Sequence, residues 1–302
     1  MLDKVVIVGV GLIGGSFALG LKAARAAKTV VGLERSDAAL ARALELGIVD
    51  VASTDARAAL AGADLVLLAA PVAQTAAILA SLLPWLEPHT IVTDAGSTKS
   101  DVVAAARAAF GERIGQFVPG HPIAGRETNG PDAAIPDLVQ GKKVVLTPLP
   151  ENDGAVVARV ADAWRRCGAI IHLLSPQEHD RVFAAVSHLP HLLAYALVDD
   201  IARKPHADML FQYAASGFRD FTRIAGSSPE MWRDISLANR GALLGELDAY
   251  MARLSEVRTA LAAADGAALE AVYANAQRAR RGWIEAIETA EPPPAPNHES
   301  GK

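Results

Sequence analysis

Residues 5–14 read VVIVGVGLIG, a β-branched apolar run followed at once by a glycine-rich turn. The run predicts a buried strand, and the residues after the turn have the apolar spacing of an amphipathic helix. A G-x-G-x-x-G motif between a strand and a helix is typical of a dinucleotide-binding unit. The first glycine permits the tight turn, the second lets a pyrophosphate approach, and the third lets helix and strand pack closely. The predicted phosphate-binding residues are Gly9, Gly11, Leu12, Ile13 and Gly14.

Glu34 ends the second predicted strand, 20 residues after Gly14. A carboxylate at that position accepts hydrogen bonds from ribose hydroxyls and repels a 2′-phosphate, which favours NAD over NADP. Arg35 and Ser36 come next and could partly receive a 2′-phosphate, so NADP stays open as a weaker alternative. The residues after the strand at 65–69 are expected along the adenosine ribose, and they are Ala70 and Pro71.

Short β-branched runs alternate with alanine-rich helical runs from Asp3 to about Leu174, which is typical of a parallel sheet with crossover helices. The predicted strands are Val5–Val8, Val30–Leu33, Leu65–Ala69, Ile91–Thr93, Gln116–Val118, Val144–Leu146 and Ala169–Leu173. After Ser175 the strand signal stops, and only helical runs follow. We therefore predict an α/β Rossmann-type domain over 1–175, an all-α domain over 176–290 and a disordered tail over 291–302.

Composition excludes several classes of partner. The chain has 302 residues, 51% of them hydrophobic, and a net charge of −5, so no basic field attracts nucleic acid or an anionic membrane surface. Cys167 is the only cysteine, which excludes a disulfide framework and fits a reducing compartment. No signal peptide and no uncharged apolar segment of roughly 20 residues is present, so we expect a cytoplasmic protein. Helices that are apolar on more than one face predict a homodimer.

Two segments are expected near the nicotinamide, DAGSTK at 94–99 and GHPIAGRE at 120–127. His121 stands between glycine and proline just after a predicted strand, with an expected exposed ring. An imidazole with an ordinary pKa near 6.5 is a natural proton acceptor for oxidation of an alcohol. Ser97 is a candidate to orient it. A structural hydrogen bond for His121 and a helix cap for Ser97 remain alternatives.

Two further segments lie in the helical half. His179, His188 and His191 suggest a metal site, but no carboxylate or cysteine stands at ligand spacing, so we expect no metal. Residues 217–235 read GFRDFTRIAGSSPEMWRDI and alternate arginines with aromatic residues. Such a mixture suits a small anion that carries a ring, although a surface helix with ion pairs is the alternative.

Five segments, in order, resemble the prephenate/arogenate (cyclohexadienyl) dehydrogenase family of tyrosine biosynthesis across nearly the whole chain. They are GVGLIGG, DAGSTKS, GHPIAGRE, EHDRVFAAVSHLPH and GFRDFTRIAGSSPEMWRDI, of which the last three are specific to that family. The resemblance implies a Rossmann-type amino domain, a helical domain that dimerises, and NAD-dependent oxidative decarboxylation of prephenate to 4-hydroxyphenylpyruvate.

The resemblance also implies roles for individual residues. His121 polarises and deprotonates the ring hydroxyl, Ser97 orients His121, and Arg223 anchors the ring carboxylate. The residues implied to line or support the pocket are Glu127, His179, His188, His191, Asp220 and Trp232. The resemblance includes no chorismate mutase segment and no regulatory domain, so any inhibition by tyrosine is expected at the active site.

Alternative functions remain open. Arogenate carries an ammonium where prephenate carries a keto group. The Glu127 carboxylate suits the ammonium of arogenate, whereas Arg126 suits the keto acid prephenate. An enzyme that accepts both substrates is a third alternative. A nicotinamide dehydrogenase for 3-hydroxy acids or imino acids would lack the SHLPH and GFRDFTRIA segments. A NAD-binding sensor without turnover would not need His121, Ser97 and Arg223 together.

Overall fold

The strand Leu2–Val8 (β1) lies at the centre of a six-stranded parallel sheet in the computed structural model of this chain, which describes residues 1–126 and 128–288. The other strands of this sheet are β2 (Ala27–Leu33), β3 (Val51–Ser53), β4 (Leu65–Leu68), β5 (Ile91–Asp94) and β6 (Phe117–Val118). Their order is β3-β2-β1-β4-β5-β6, and every pairing is parallel. The predicted Rossmann-type sheet is confirmed, with its switch point between β1 and β4.

Helices cover both faces of this sheet. They are α1 (Leu12–Ala23), α2 (Asp37–Glu45), α3 (Ala56–Leu60), α4 (Thr75–Leu82), α5 (Ser100–Phe110) and α6 (Gly154–Arg166). Successive side chains of β1 point to opposite faces: Val5 and Ile7 join a core with α1 and α6, whereas Val6 and Val8 join a core with α4 and α5. Burial on both sides explains why the strands read as nearly continuous apolar runs.

A second, smaller sheet follows the first. Its strands are β7 (Gly120–Pro122), β8 (Lys143–Leu146) and β9 (Ile170–Leu173). β7 is antiparallel to β8 and β8 is parallel to β9, so the expectation of parallel pairing alone is wrong here. Neither β3 nor β7 was predicted, because three residues are too few for a periodic signal and β7 begins with glycine and ends with proline.

The chain is helical after β9, as predicted. The helices are α7 (Pro176–Phe183), α8 (Leu189–Ala202), α9 (Ala207–Gln212), α10 (Ser216–Thr222), α11 (Pro229–Ala238), α12 (Arg240–Ala262) and α13 (Gly266–Glu288). A π-helical turn, Ala184–His188, joins α7 to α8 without a break. α7 starts where it does because Ser175 and Glu178 form a capping box and Pro176 occupies the first turn.

The helical run Pro176–Ala202 has 27 residues and a mean hydropathy of 1.3 over its most apolar window. Among the described residues it is long and apolar enough to span a membrane by length and composition alone. It also holds the buried polar residues His179, Asp180 and His188. Core helices of water-soluble proteins meet the same criterion, so the run by itself is weak evidence for a membrane span.

The chain divides into two compact units, the first ending at Leu243. Every residue of the site described below that the structure places lies in the first unit. In the second unit, α12 and α13 are joined by a short turn in which Ala264 has a φ of 55° and the Asp265 carboxylate accepts a hydrogen bond from the Ala268 amide at 2.9 Å. The tail predicted at 291–302 lies outside the described residues.

Candidate active site

The glycine-rich turn between β1 and α1 is tightly packed at Gly9 and Gly14 and open at Gly11. Gly9 has a φ of 93°, and a Cβ there would lie 2.7 Å from the Ala69 carbonyl oxygen. A Cβ on Gly14 would lie 2.2 Å from the Gly9 carbonyl oxygen, so only glycine permits this packing of helix on strand. Gly11 faces open space and caps α1 without any side-chain acceptor. The first amides of a 12-residue helix therefore point to a space that suits a pyrophosphate.

The residues flanking this turn lie at the carboxyl ends of β2 and β4. Glu34 follows β2, is half-buried, and accepts a hydrogen bond from the Arg35 amide at 2.9 Å. Ser36 caps α2 through its hydroxyl, which accepts from the Ala39 amide. The remaining predicted cofactor residues follow β4 or begin α1 and are Ala70, Pro71, Leu12 and Ile13. Together these residues fit a dinucleotide lying across the switch point of the sheet.

His121 lies in the middle of β7 and is 9% exposed, so the expectation of an exposed ring in a loop is wrong. The ring is covered because helix α7 packs over it. Its Nδ1 atom is 2.8 Å from Nε2 of His179, and the Phe183 ring lies edge-on at a centroid distance of 4.9 Å. The other nitrogen of His179, Nδ1, is 2.9 Å from Oδ1 of Asp180. Asp180, His179 and His121 thus form a continuous hydrogen-bonded chain, which we call the histidine relay.

The protonation of the relay follows from its partners. Burial opposes ionisation of Asp180, but hydrogen bonds from His179, Ser100 and Lys99 lower the pKa of its carboxyl below the ordinary value. An ionised Asp180 requires a proton on Nδ1 of His179. Burial lowers the pKa of His179 despite the carboxylate beside it, so His179 is neutral and its Nε2 accepts a hydrogen bond from Nδ1 of His121. Nε2 of His121 is then the unprotonated nitrogen.

The pKa of His121 lies well below its usual value. Burial is the largest cause, and the neighbouring His179, Lys99 and His188 lower the pKa further. His121 is therefore neutral at physiological pH. Its free Nε2 is in the correct state to take up a proton.

A second cluster surrounds His188 and His191 on the same helical run. The side-chain nitrogen Nδ2 of Asn239 is 2.7 Å from the backbone carbonyl oxygen of Asp180 and 3.1 Å from Nδ1 of His188. Asn239 therefore links this cluster to the relay. Burial lowers the pKa of His188 to about 4. The ring of His191 stacks on Trp232 with a centroid distance of 3.5 Å and an angle of 18° between the planes.

Arg223 begins the 3₁₀ turn Arg223–Gly226 after α10 and lies close to the second cluster. Burial lowers the pKa of His191, the Ser187 carbonyl opposes that shift, and the positive charge of Arg223 adds to it. Arg223, His191 and Trp232 therefore combine a guanidinium with a flat apolar wall. This combination suits a carboxylate attached to a ring.

Some predicted residues are not brought into contact with the relay. Ser97 lies in the loop before α5, where its backbone faces His188, and no hydrogen bond within the described chain joins its hydroxyl to His121. Asp220 is exposed on α10. Arg233 is exposed and pairs with Asp234 and Glu230, as a surface ion pair does. Glu127 lies outside the described residues.

Four polar residues of the site had no predicted role. Asp180, Asn239, Asp94 and Lys99 are all buried. A charged residue in a buried strand or helix was the available signal: Asp94 ends β5, and Asp180 directly follows His179 in α7. Asp94 pairs with nearby Lys99 and Asp180 with adjacent His179, but the contacts that tie these groups to Gly120, to the Lys99 amide and to Asn239 span 26 to 81 residues, so spacing alone could not reveal them.

A Rossmann-type sheet with a phosphate-binding turn and a buried proton acceptor at its carboxyl edge defines a nicotinamide nucleotide dehydrogenase. Two family profiles match the chain. "Prephenate dehydrogenase, nucleotide-binding domain" matches residues 17–173, and "Prephenate dehydrogenase, dimerization domain" matches residues 175–274. The chain belongs to the prephenate dehydrogenase family.

Individual relatives agree with this assignment. The cyclohexadienyl dehydrogenase of Zymomonas mobilis is 39% identical over 278 residues, which cover 91% of this chain and 94% of the relative. The prephenate dehydrogenase of Bacillus subtilis is 37% identical over 264 residues, covering 86% and 70%. The crystal structure of prephenate dehydrogenase from A. aeolicus with hydroxyphenyl propionate and NAD+ superposes with a TM-score of 0.87 at 36% identity, covering 94% of this chain and 99% of that one.

Proposed function

We propose that this protein catalyses the oxidative decarboxylation of prephenate to 4-hydroxyphenylpyruvate, with NAD+ as hydride acceptor, in tyrosine biosynthesis. The observation that carries the proposal is the histidine relay, which leaves one unprotonated imidazole nitrogen beside the carboxyl edge of a dinucleotide-binding sheet. Oxidation of an alcohol removes a hydride from the carbon and a proton from the hydroxyl oxygen that this carbon carries, so it needs a hydride acceptor and a proton acceptor side by side.

The proton is handled by the relay. Nε2 of His121 accepts the proton of the ring hydroxyl while the hydride leaves the ring carbon that carries this hydroxyl. The positive charge that forms on His121 is stabilised through His179 by the Asp180 carboxylate, which amides of Lys99 and Ser100 hold in place at 2.8 Å each. As carbon dioxide leaves the opposite ring carbon, its bonding electrons flow to the oxygen and make the ring aromatic. His121 returns the proton to that oxygen, so no net proton is released.

The cofactor would be held by the residues that fit a dinucleotide. The Gly9–Gly14 turn offers backbone amides to the pyrophosphate, and Glu34 offers its carboxylate to the adenosine ribose. Bound NAD+ supplies the acceptor for the hydride. The carboxylate of Glu34 supports NAD over NADP.

The substrate would be held by the second cluster. We assign Arg223 to the ring carboxylate, and His188, His191 and Trp232 to the wall of the pocket, because the positive charge of Arg223 acts on His191, which stacks on Trp232. Ser97, in the loop before α5, is proposed as the orienting partner of His121 when substrate is bound. Glu127 and Asp220 are proposed to support the side-chain end of the substrate.

The test is a rate measurement at 340 nm with NAD+ and prephenate, and in parallel with arogenate. His121→Asn is expected to lower kcat by roughly 10²–10⁴-fold with NAD+ affinity unchanged, because the base is lost and the nucleotide site is not touched. His172→Asn, an exposed histidine on β9, is the matched control and should retain full activity. Absence of turnover with prephenate, or near wild-type kcat in His121→Asn, would refute the proposal. Faster turnover of arogenate than of prephenate would show that arogenate is the preferred substrate.

The assembly we propose is a homodimer formed through the helical domain, residues 176–290, with the Rossmann-type domain at 1–175. The match of residues 175–274 to a dimerization domain supports it. So do large apolar side chains that are exposed on helices of this region, such as Val186 at 67%, Leu237 at 63% and Met251 at 58%. Light scattering that gives the mass of one chain, 31.5 kDa, would refute the dimer.

We further propose that tyrosine inhibits the enzyme by binding at the active site. The enzyme is proposed to be cytoplasmic. Tyrosine shares a ring and a hydroxyl with the aromatic product, so the same pocket suits it. Competition with prephenate in steady-state kinetics is the expected pattern, and noncompetitive inhibition would place tyrosine elsewhere.

A further inference from the structure

Lys99 is a fully buried lysine next to the relay, with 0% of its side chain exposed. Its ammonium contacts the carboxylate of Asp94 and donates a hydrogen bond to the Gly120 carbonyl oxygen at 2.8 Å. Asp94 in turn accepts a hydrogen bond from the Gly120 amide at 3.0 Å. Gly120 directly precedes His121. The backbone amide and the carbonyl group of Gly120 are therefore both held by one ion pair.

The same ion pair closes the loop that carries Ser97. Asp94 ends β5 and Lys99 stands just before α5, so their contact joins the two ends of the segment 95–98. The Asp94 carboxylate also accepts from the Gly96 amide inside the loop at 2.8 Å. In addition, the Lys99 amide donates to Asp180 at 2.8 Å. Lys99 thus connects the Ser97 loop, the strand of His121 and the anchor of the relay.

Stability alone does not account for a pair at this position. Removing two charges from water is unfavourable, and replacing a buried ion pair by apolar side chains is often neutral or stabilising. The ion pair instead fixes geometry. Lys99 binds the carbonyl oxygen of Gly120, and Asp94 binds the backbone amides of Gly120 and Gly96.

We propose that the Lys99–Asp94 ion pair is a positioning element of the reaction, which holds His121 and the Ser97 loop in one arrangement and balances the charge beside the proton acceptor. This inference rests on the proposed function. The charged and titratable groups that surround His121 are His179 and Asp180 on α7, His188 on the π-helical turn, and Lys99 with its partner Asp94. The ammonium disfavours an imidazolium at His121, and the Asp94 carboxylate, which acts in the opposite sense on the adjacent His179, is expected to offset that effect.

Two variants should therefore shift the pH profile in opposite directions. Lys99→Met leaves the Asp94 carboxylate uncompensated, which favours protonated His121 and moves the acid limb of kcat/KM to higher pH. Asp94→Asn leaves the ammonium uncompensated and moves that limb to lower pH. Each shift is expected to be about one pH unit. Each variant should also lower kcat about 10- to 100-fold because the reacting groups lose their alignment.

Arg107→Met and Glu151→Gln are the matched controls, since they break an exposed ion pair between α5 and the turn before α6. Neither should change kcat or the profile. Shifts of the same sign, or no shift, would overturn the proposal whatever happens to kcat. If Lys99→Met does not fold, the sign of the Asp94→Asn shift decides. NMR titration of the His121 ring in isotope-labelled protein measures the same shifts without turnover, so inactivity of the wild-type enzyme would refute the proposed function and leave this test intact.

Discussion

His121 and His179 face each other with Nδ1 of the first 2.8 Å from Nε2 of the second, although 58 residues separate them in sequence. This contact makes the tautomer of His121 depend on the protonation of His179. Because Asp180 fixes the proton of His179, a buried carboxylate that reaches His121 only through His179 decides which nitrogen of His121 is free.

Asp180→Asn tests this dependence. An asparagine can donate to Nδ1 of His179 and stabilise the wrong tautomer, which would place a proton on the nitrogen that should act as base. We expect kcat to fall by about 10²–10⁴-fold, as when the carboxylate that orients a catalytic histidine is lost. Asp162→Asn, on the exposed side of α6, is the control. Stopped-flow measurement of NADH formation checks the result, and an unchanged kcat would show that the relay does not set the tautomer.

His188 predicts a loss of stability in acid. Its pKa is about 4 in the folded protein, against 6.5 for an ordinary histidine, so the unfolded chain binds the proton more tightly. The contribution of His188 to the free energy of unfolding is therefore constant above pH 6.5. It falls as the pH drops toward 4, by about 3 kcal/mol in total. Urea unfolding between pH 7 and pH 4.5 measures it.

His188→Gln should reduce that pH dependence, and His172→Gln should not. Part of the dependence will remain in His188→Gln, because the pKa values of His121, His179 and His191 are also lowered. A free energy of unfolding that is independent of pH in the wild-type protein would contradict the assignment of a buried neutral His188.

Glu34→Ser should change the choice of cofactor. The carboxylate follows β2, and the proposed function assigns it to the ribose hydroxyls, where it would repel a 2′-phosphate. Replacement by serine removes the repulsion, so kcat/KM for NADP should rise relative to that for NAD. Glu112→Ser, at an exposed position after α5, should leave the ratio unchanged. A wild-type enzyme that already prefers NADP would contradict this role.

Arg223→Ala should affect substrate binding more than turnover. The ring carboxylate leaves as neutral carbon dioxide, so an ion pair with it weakens as decarboxylation proceeds and cannot accelerate that step. We expect KM for prephenate to rise about 10- to 100-fold with a smaller fall in kcat. Arg223→Lys should restore only part of the loss, because an ammonium makes no bidentate contact.

Arg233→Ala is the matched control for Arg223, because its guanidinium already pairs with Asp234 on the surface. It should leave KM unchanged. Loss of kcat at constant KM in Arg223→Ala would instead show that Arg223 acts on the transition state.

The sequence by itself determined five of the six strands of the large parallel sheet, the nucleotide turn and the helical second half. Apolar periodicity records which residues face a core, and a run such as VVIV followed by G-x-G-x-x-G has one common structural solution. The motifs also identified the histidines of the site, because a histidine next to glycine and proline or an S-H-L-P-H segment is unusual in a plain core.

The tertiary structure alone decided what those histidines do. His121 is buried and lies in a strand because α7 packs over it, and its unprotonated nitrogen follows from contacts with His179, and through it Asp180, on that helix. The role of Lys99 likewise depends on Gly120, which lies 21 residues away. A buried polar group must find a partner, but which partner it finds depends on how separate elements pack, and no local pattern in the sequence carries that information.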